Sequence, residues 1–126
     1  MSENQIQAPQ NLLTDSDVAL HLKAIQELLE EKKALDLATL DLREKSSVAD
    51  YFLVAGANSR THCQALAGTV DQYAKEQNLH VYSNEGKSEG SWILIDLGFM
   101  VVHVMQESQR VFYNLEELWS HATQKT

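Results

Sequence analysis

One cysteine, one proline and five glycines in 126 residues exclude several classes of protein at once. Cys63 cannot close an internal disulfide, and a single thiol does not make a metal site. So little Pro and Gly is incompatible with a collagen-like or low-complexity chain. Basic residues are also scarce, ten against 18 acidic ones for a formal charge of −8. Broad binding to a phosphate backbone needs a Lys/Arg stripe that releases counterions, and no such stripe is visible. The acidic balance suits solubility or a basic protein partner. The first 22 residues contain no Lys or Arg, unlike a secretory n-region or an Arg-rich transit peptide. The longest near-apolar run, Tyr51 to Ala57, falls far short of the roughly 20 residues that cross a bilayer. A reduced, soluble, cytoplasmic protein is expected.

What remains is a chain 44% hydrophobic with two Trp, four Tyr and three Phe, of a length that suits one domain with a buried core. Residues 1–13 are polar and aperiodic and read as a flexible leader, with the domain over 14–122 and a short tail at 123–126. Thr14 to Asp17 offers capping side chains, and Val18, Leu22, Ile25 and Leu29 then mark one face of a helix ending near Lys33. Leu35 to Leu42 is strand-like but broken by acidic residues, as on an edge. Tyr51 to Ala57 reads as a central strand buried on both faces. Asn58 or Ser59 caps a second helix to about Gln77, with Cys63, Ala67, Val70 and Ala74 inward and Leu66 and Tyr73 beside them. Leu79 to Ser83 suggests a third strand, and Asn84 to Ser91 a loop. Asn114 with Glu117 reads as a cap and N3 pair opening a last helix through Leu118 and Trp119. The order predicts an α/β fold, a single-domain mixed sheet flanked by helices.

Trp92 to Leu97 and Met100 to Met105 are two β-rich runs joined by Gly98-Phe99, a type II′ hairpin signal. A two-residue loop sets the register, placing Asp96 opposite Val101, Leu94 opposite His103 and Trp92 opposite Met105. Ile93, Ile95, Leu97, Met100, Val102 and Val104 then share a core face. The other face carries Trp92, Leu94, Asp96, Val101, His103 and Met105. Two readings of it stand: a sheet face holding Asp96 and His103 as a diagonal polar pair, or a protein-binding face built round a Trp. Leu97 and Phe99 at the tip are expected to add exposed apolar surface.

Signals for chemistry are few. A carboxylate can orient an imidazole as a general base, but no nucleophile in a strained elbow accompanies Asp96 and His103. His62 and Cys63 are adjacent on a helix and point about 100° apart, and Cys63 lies on the apolar stripe. His21, His62, His80, His103 and His121 lack metal-ligand spacing. No P-loop, GxGxxG or zinc pattern is present, so neither cofactor nor metal is expected. Gly56-Ala57-Asn58-Ser59 before a helix could be the turn of a metal-dependent nucleotidyltransferase or nucleotide-binding enzyme, which is the alternative reading. Its paired metal-binding carboxylates are missing, because Asp96 stands alone between Ile95 and Leu97.

Several strings together resemble the Iojap/RsfS family of ribosomal silencing factors. They are Lys45-Ser46-Ser47-Val48-Ala49-Asp50-Tyr51-Phe52, Asn58-Ser59-Arg60, Glu85-Gly86, Trp92-Ile93-Leu94-Ile95-Asp96-Leu97-Gly98, Val101-Val102-His103-Val104, and Tyr113-x-Leu115-x-x-Leu118-Trp119. The resemblance implies a nucleotidyltransferase-like core without catalytic carboxylates, and a non-enzymatic repressor of translation. Members of that family bind the large ribosomal subunit through its fourteenth protein and sterically block joining with the small subunit. A homodimer is also implied, with no surface assigned to it. By the same resemblance Trp92 and Leu97 belong to the partner-binding surface, to which the hairpin pattern adds Asp96, Phe99, Met100 and His103. Two positions depart from the family pattern. Phe99 stands where Asp is usual, and Ala57-Asn58-Ser59 replaces a Thr/Ser-rich turn.

Overall fold

A computed structural model describes residues 13–44 and 49–108. The expected terminal helix, the tail and all of the leader except Leu13 lie outside the described residues. Leu13 itself packs against the core. Within the described residues the order is α1 (Asp15–Glu31), β1 (Leu35–Asp41), β2 (Tyr51–Ala57), α2 (Arg60–Glu76), β3 (Ser83–Glu85), β4 (Trp92–Asp96) and β5 (Met100–Gln106). The sheet runs β1-β2-β5-β4-β3. β2 and β5 are parallel and the other pairs antiparallel, so the mixed α/β sheet expected from the sequence is what forms.

Local chemistry sets both ends of both helices. At the start of α1 the Thr14 hydroxyl accepts from the Asp17 N–H at 3.1 Å and the Asp17 carboxylate accepts from the Thr14 N–H at 3.2 Å, a reciprocal capping box. Ser59, not Asn58, caps α2, its hydroxyl accepting from the His62 N–H at 3.0 Å. Each helix stops in the same way. Lys33 and Asn78 adopt left-handed φ values of 71° and 58°. The following N–H groups turn back, Ala34 to the Leu29 carbonyl at 2.9 Å and Leu79 to the Ala74 carbonyl at 2.8 Å. This is the Schellman arrangement, built here without glycine.

The two helices lie on the same side of the sheet. Val18, Ile25 and Leu29 of α1 and Cys63, Leu66, Ala67, Val70 and Ala74 of α2 are buried, in one core with Leu53, Ile93, Ile95, Val102 and Val104. Each buried aliphatic side chain contributes about 1.5–3 kcal/mol. β1 is an edge strand with a bulge between Leu35 and Ala38, and Asp36 there has a φ of 45°. That irregularity blunts an otherwise exposed edge.

The hairpin register is the expected one, Trp92↔Met105, Leu94↔His103 and Asp96↔Val101. Gly98 has a φ of 90° and Phe99 a negative one, so only the first turn residue is left-handed, as a type II′ turn requires. The third strand is displaced from its expected position. Leu79 to Ser83 was the apolar run, yet Leu79 is buried as the residue that closes the α2 stop, and pairing begins at Ser83. Asn84 and Glu85, expected in a loop, are strand residues. β4 dictates this pairing, and nothing in Ser-Asn-Glu favours a strand.

The left-handed Lys33 holds a side chain where glycine has no Cβ penalty. Lys33→Gly is therefore expected to raise stability by about 0.5–1 kcal/mol, read as a higher urea midpoint with an unchanged m-value.

Candidate functional site

The hairpin's second face is divided between its strands. On β5, Val101, His103 and Met105 are buried. On β4, Trp92, Leu94 and Asp96 are only half-buried. Phe52 and Val54 share this face through the parallel register, beside Val101 and His103. β3 extends it, because Ser83 pairs with Asp96 and Glu85 with Leu94. The open part is thus a short apolar strip, Trp92 and Leu94, with carboxylates at Asp96 and Glu85.

His103 organises the centre. Its ring lies 4.6 Å from that of Phe52 and 6.0 Å from that of Trp92, centroid to centroid. The Trp92 indole Nε1–H donates to His103 Nδ1 at 3.1 Å. An indole nitrogen can only donate, so Nδ1 is unprotonated and the neutral ring carries its proton on Nε2. That Nε2 is buried without a hydrogen-bond partner among the described residues. Burial pulls the imidazole pKa down from 6.5 to about 4.

Asp96 and His103 do not form the polar pair that one of the two readings of this face contains. The Asp96 carboxylate accepts from the Gly98 N–H at 2.8 Å, bracing the turn, while Trp92 takes the imidazole. An Asp two residues ahead of a turn glycine is an Asx-turn signal, and it could have been read from the sequence. The hairpin tip is not exposed apolar surface either. Leu97, Phe99 and Met100 are all buried. The Phe99 ring lies 5.9 Å from that of His21 on α1, and His21 Nδ1 is 2.7 Å from the Tyr73 hydroxyl on α2. Phe99, where the family pattern has Asp, is a core residue sealed by the α1–α2 seam.

Neither Glu85 nor Leu94 is among the site residues the sequence singles out. Leu94 stands on the predicted outer face between more conspicuous neighbours, and Glu85 falls in the stretch expected as a loop; its pairing with Leu94 brings it to this surface.

Cys63 is inert in this setting. Its thiol donates to the Val104 carbonyl at 3.3 Å, and burial pushes its pKa up to about 11. Among the described residues no group of three or more His, Cys, Asp or Glu side chains is placed to hold a metal ion. None of their helices is long and apolar enough to cross a membrane.

The fold and these contacts define a small two-layer α/β protein with both helices on one side of a mixed sheet. The family described as ribosomal silencing factor during starvation matches residues 15–126. A Bacillus subtilis protein named ribosomal silencing factor RsfS is 42% identical over 101 residues, covering 80% of this chain and 86% of that protein. A solved structure of a Chromobacterium violaceum protein superposes with a TM-score of 0.79 at 34% identity, covering 82% of this chain and 86% of that one. A mouse protein named mitochondrial assembly of ribosomal large subunit protein 1 is 28% identical over 96 residues, covering 74% of this chain and 42% of that protein. The chain belongs to the ribosomal silencing factor family.

The buried imidazole makes stability depend on pH. Folding lowers the His103 pKa, so between about 6.5 and 4 the unfolded chain binds the extra proton. Stability from this group is complete above that window and is lost as pH falls through it, on the order of 3 kcal/mol in all. Urea unfolding at pH 7, 6 and 5 should show this decline, and His103→Gln should make it shallower.

Proposed function

We propose that this chain binds the large ribosomal subunit through its fourteenth protein and blocks joining with the small subunit by occupying the shared surface. Family membership supports the silencing role, and the mouse relative's name connects that protein with the large subunit. The observation that carries the reading for this chain is the strip of Trp92 and Leu94 flanked by Asp96 and Glu85 on a paired β ribbon. A half-exposed Trp on a rigid support is the residue type that dominates protein interfaces. Flanking carboxylates suit a basic ribosomal protein and act chiefly on encounter rate and orientation.

In this proposal Trp92, Leu94, Asp96 and Glu85 make the direct contacts. His103 supports the indole from below, while Leu97, Phe99 and Met100 hold the ribbon to the core. Repression then requires no bond-making step, because a bound protein of this size excludes the small subunit by volume.

The test is sedimentation of purified ribosomal subunits, with and without the protein, in a buffer that lets them join. The protein should travel with the large subunit while free subunits accumulate. If it stays at the top of the gradient and joining proceeds, the proposal is wrong, and Mg²⁺-dependent ATP binding becomes the next measurement. Trp92→Ala should weaken binding by about 2 kcal/mol, roughly 30-fold in Kd. Glu85→Lys, an exposed change that spares the Trp92–His103 bond, should slow association several-fold at low salt. Wild-type binding by both variants would remove this face from the interface.

A further inference from the structure

The segment from Gly86 to Ser91 leads into Trp92, and three α2 side chains hold it. The Arg60 guanidinium donates through Nη2 to the Ser88 carbonyl at 2.6 Å. The Gln64 amide donates to the Lys87 carbonyl at 2.7 Å. The Asp71 carboxylate accepts from Asn84 Nδ2 at 2.8 Å and from Lys87 Nζ at 2.6 Å. Positions 60, 64 and 71 fall on one side of a helix, and Asn84 points to that side because it pairs with the inward Ile95.

Exposed ion pairs contribute little to stability by themselves. Two of these contacts differ in kind, since they satisfy main-chain carbonyls of a segment that has left the strand ladder. The rest of the segment is equally constrained. The Gly90 N–H closes onto the Gly86 carbonyl at 2.9 Å. Gln106 binds the far end, its backbone N–H donating to Ser91 at 3.0 Å and its side chain to Gly90 at 2.9 Å. Gly86 has a φ of 88°, and a Cβ there would overlap the Trp92 carbonyl oxygen.

We propose that Arg60, Gln64 and Asp71 are positioning residues for the partner-binding ribbon, a latch on α2 that fixes where the 86–91 segment delivers Trp92. This rests on the function proposed above and deepens it. Arg60, the first residue of α2, reaches Ser88, 28 positions further along the chain. α2 lies in the helical layer, across the sheet from the Trp92 strip. The latch therefore acts on binding through the position of the indole and touches no partner.

The experiment compares the full chain with Arg60→Ala/Gln64→Ala, the milder Arg60→Lys, and Trp92→Ala. It measures Kd for purified large subunits and, in the free proteins, the ¹⁵N–¹H resonance of the Trp92 indole, assigned by its loss in Trp92→Ala. The double variant should melt in a single transition, shift or broaden the indole resonance, and bind about tenfold more weakly, because the released segment must then be ordered on binding. Arg60→Lys, which keeps a donor, should recover most of the affinity. Wild-type affinity in the double variant, with or without an indole shift, overturns the latch if Trp92→Ala has lost binding. Weakened binding with an unmoved indole also overturns it, because α2 would then be touching the partner. Wild-type affinity in Trp92→Ala overturns the partner-surface reading and the latch together.

Discussion

Phe99 ties the hairpin to everything else in the fold. Its carbonyl accepts from both the Asp50 and Tyr51 N–H groups, at 2.9 and 3.2 Å, so the tip of β4–β5 is joined to the first residue of β2. Its ring is buried against α1 beside His21. A hairpin standing alone is marginally stable in water. Here the turn is clamped at its tip by Phe99 and at its base by contacts from α2 and Gln106. Both ends of the ribbon are thus tied to the rest of the fold, and for the proposed partner surface such pre-organisation limits what must be ordered on binding.

One-sided layering decides where a site can lie. Both helices cover the inner face of the sheet, leaving the outer face for the proposed site. On that face β5 is sealed and β4 is half-open, so a buried polar pair sits directly beneath an accessible strip. Trp92 belongs to both, with its indole nitrogen committed to His103 and part of its ring at the surface. The same hydrogen bond fixes the indole and selects the neutral imidazole. Protonating His103 would set a cation beside that indole N–H, removing its acceptor.

Much of this was legible in the residues. The 3.6-residue period of Val18, Ile25 and Leu29 marked α1, the apolar run Tyr51 to Ala57 marked a central strand, and Gly98-Phe99 set a register that the structure reproduces pair by pair. Those signals are local, and each depends on a period or a turn type that tertiary packing did not override. The misses share a different cause. Ser83 to Glu85 forms a strand because β4 offers an edge, a relation absent from its own composition. Leu79 is apolar because a helix stop buries it. Phe99 resembled an exposed tip because nothing near it in sequence shows that α1 passes over it. For Asp96 the signal was present, but the imidazole diagonally opposite was a more conspicuous partner than a backbone N–H two residues on.

The parallel seam between β2 and β5 has a consequence for how the chain reaches this state. β1 with β2, and β3 with β4 and β5, are antiparallel groups assembled over short connections. Within the sheet of described residues the two groups are joined by the β2–β5 pairing, seven residue pairs from Tyr51↔Met100 to Ala57↔Gln106. Its loop closure spans α2 and two strands and comes at an entropic cost that local pairings avoid. On the synthesising ribosome, α1, β1, β2 and α2 emerge before the strand that completes their core. Until β5 arrives, one long edge of β2 and the apolar side of α2 lack their final partners. The hairpin that forms the proposed working face is thus also the piece that closes the sheet.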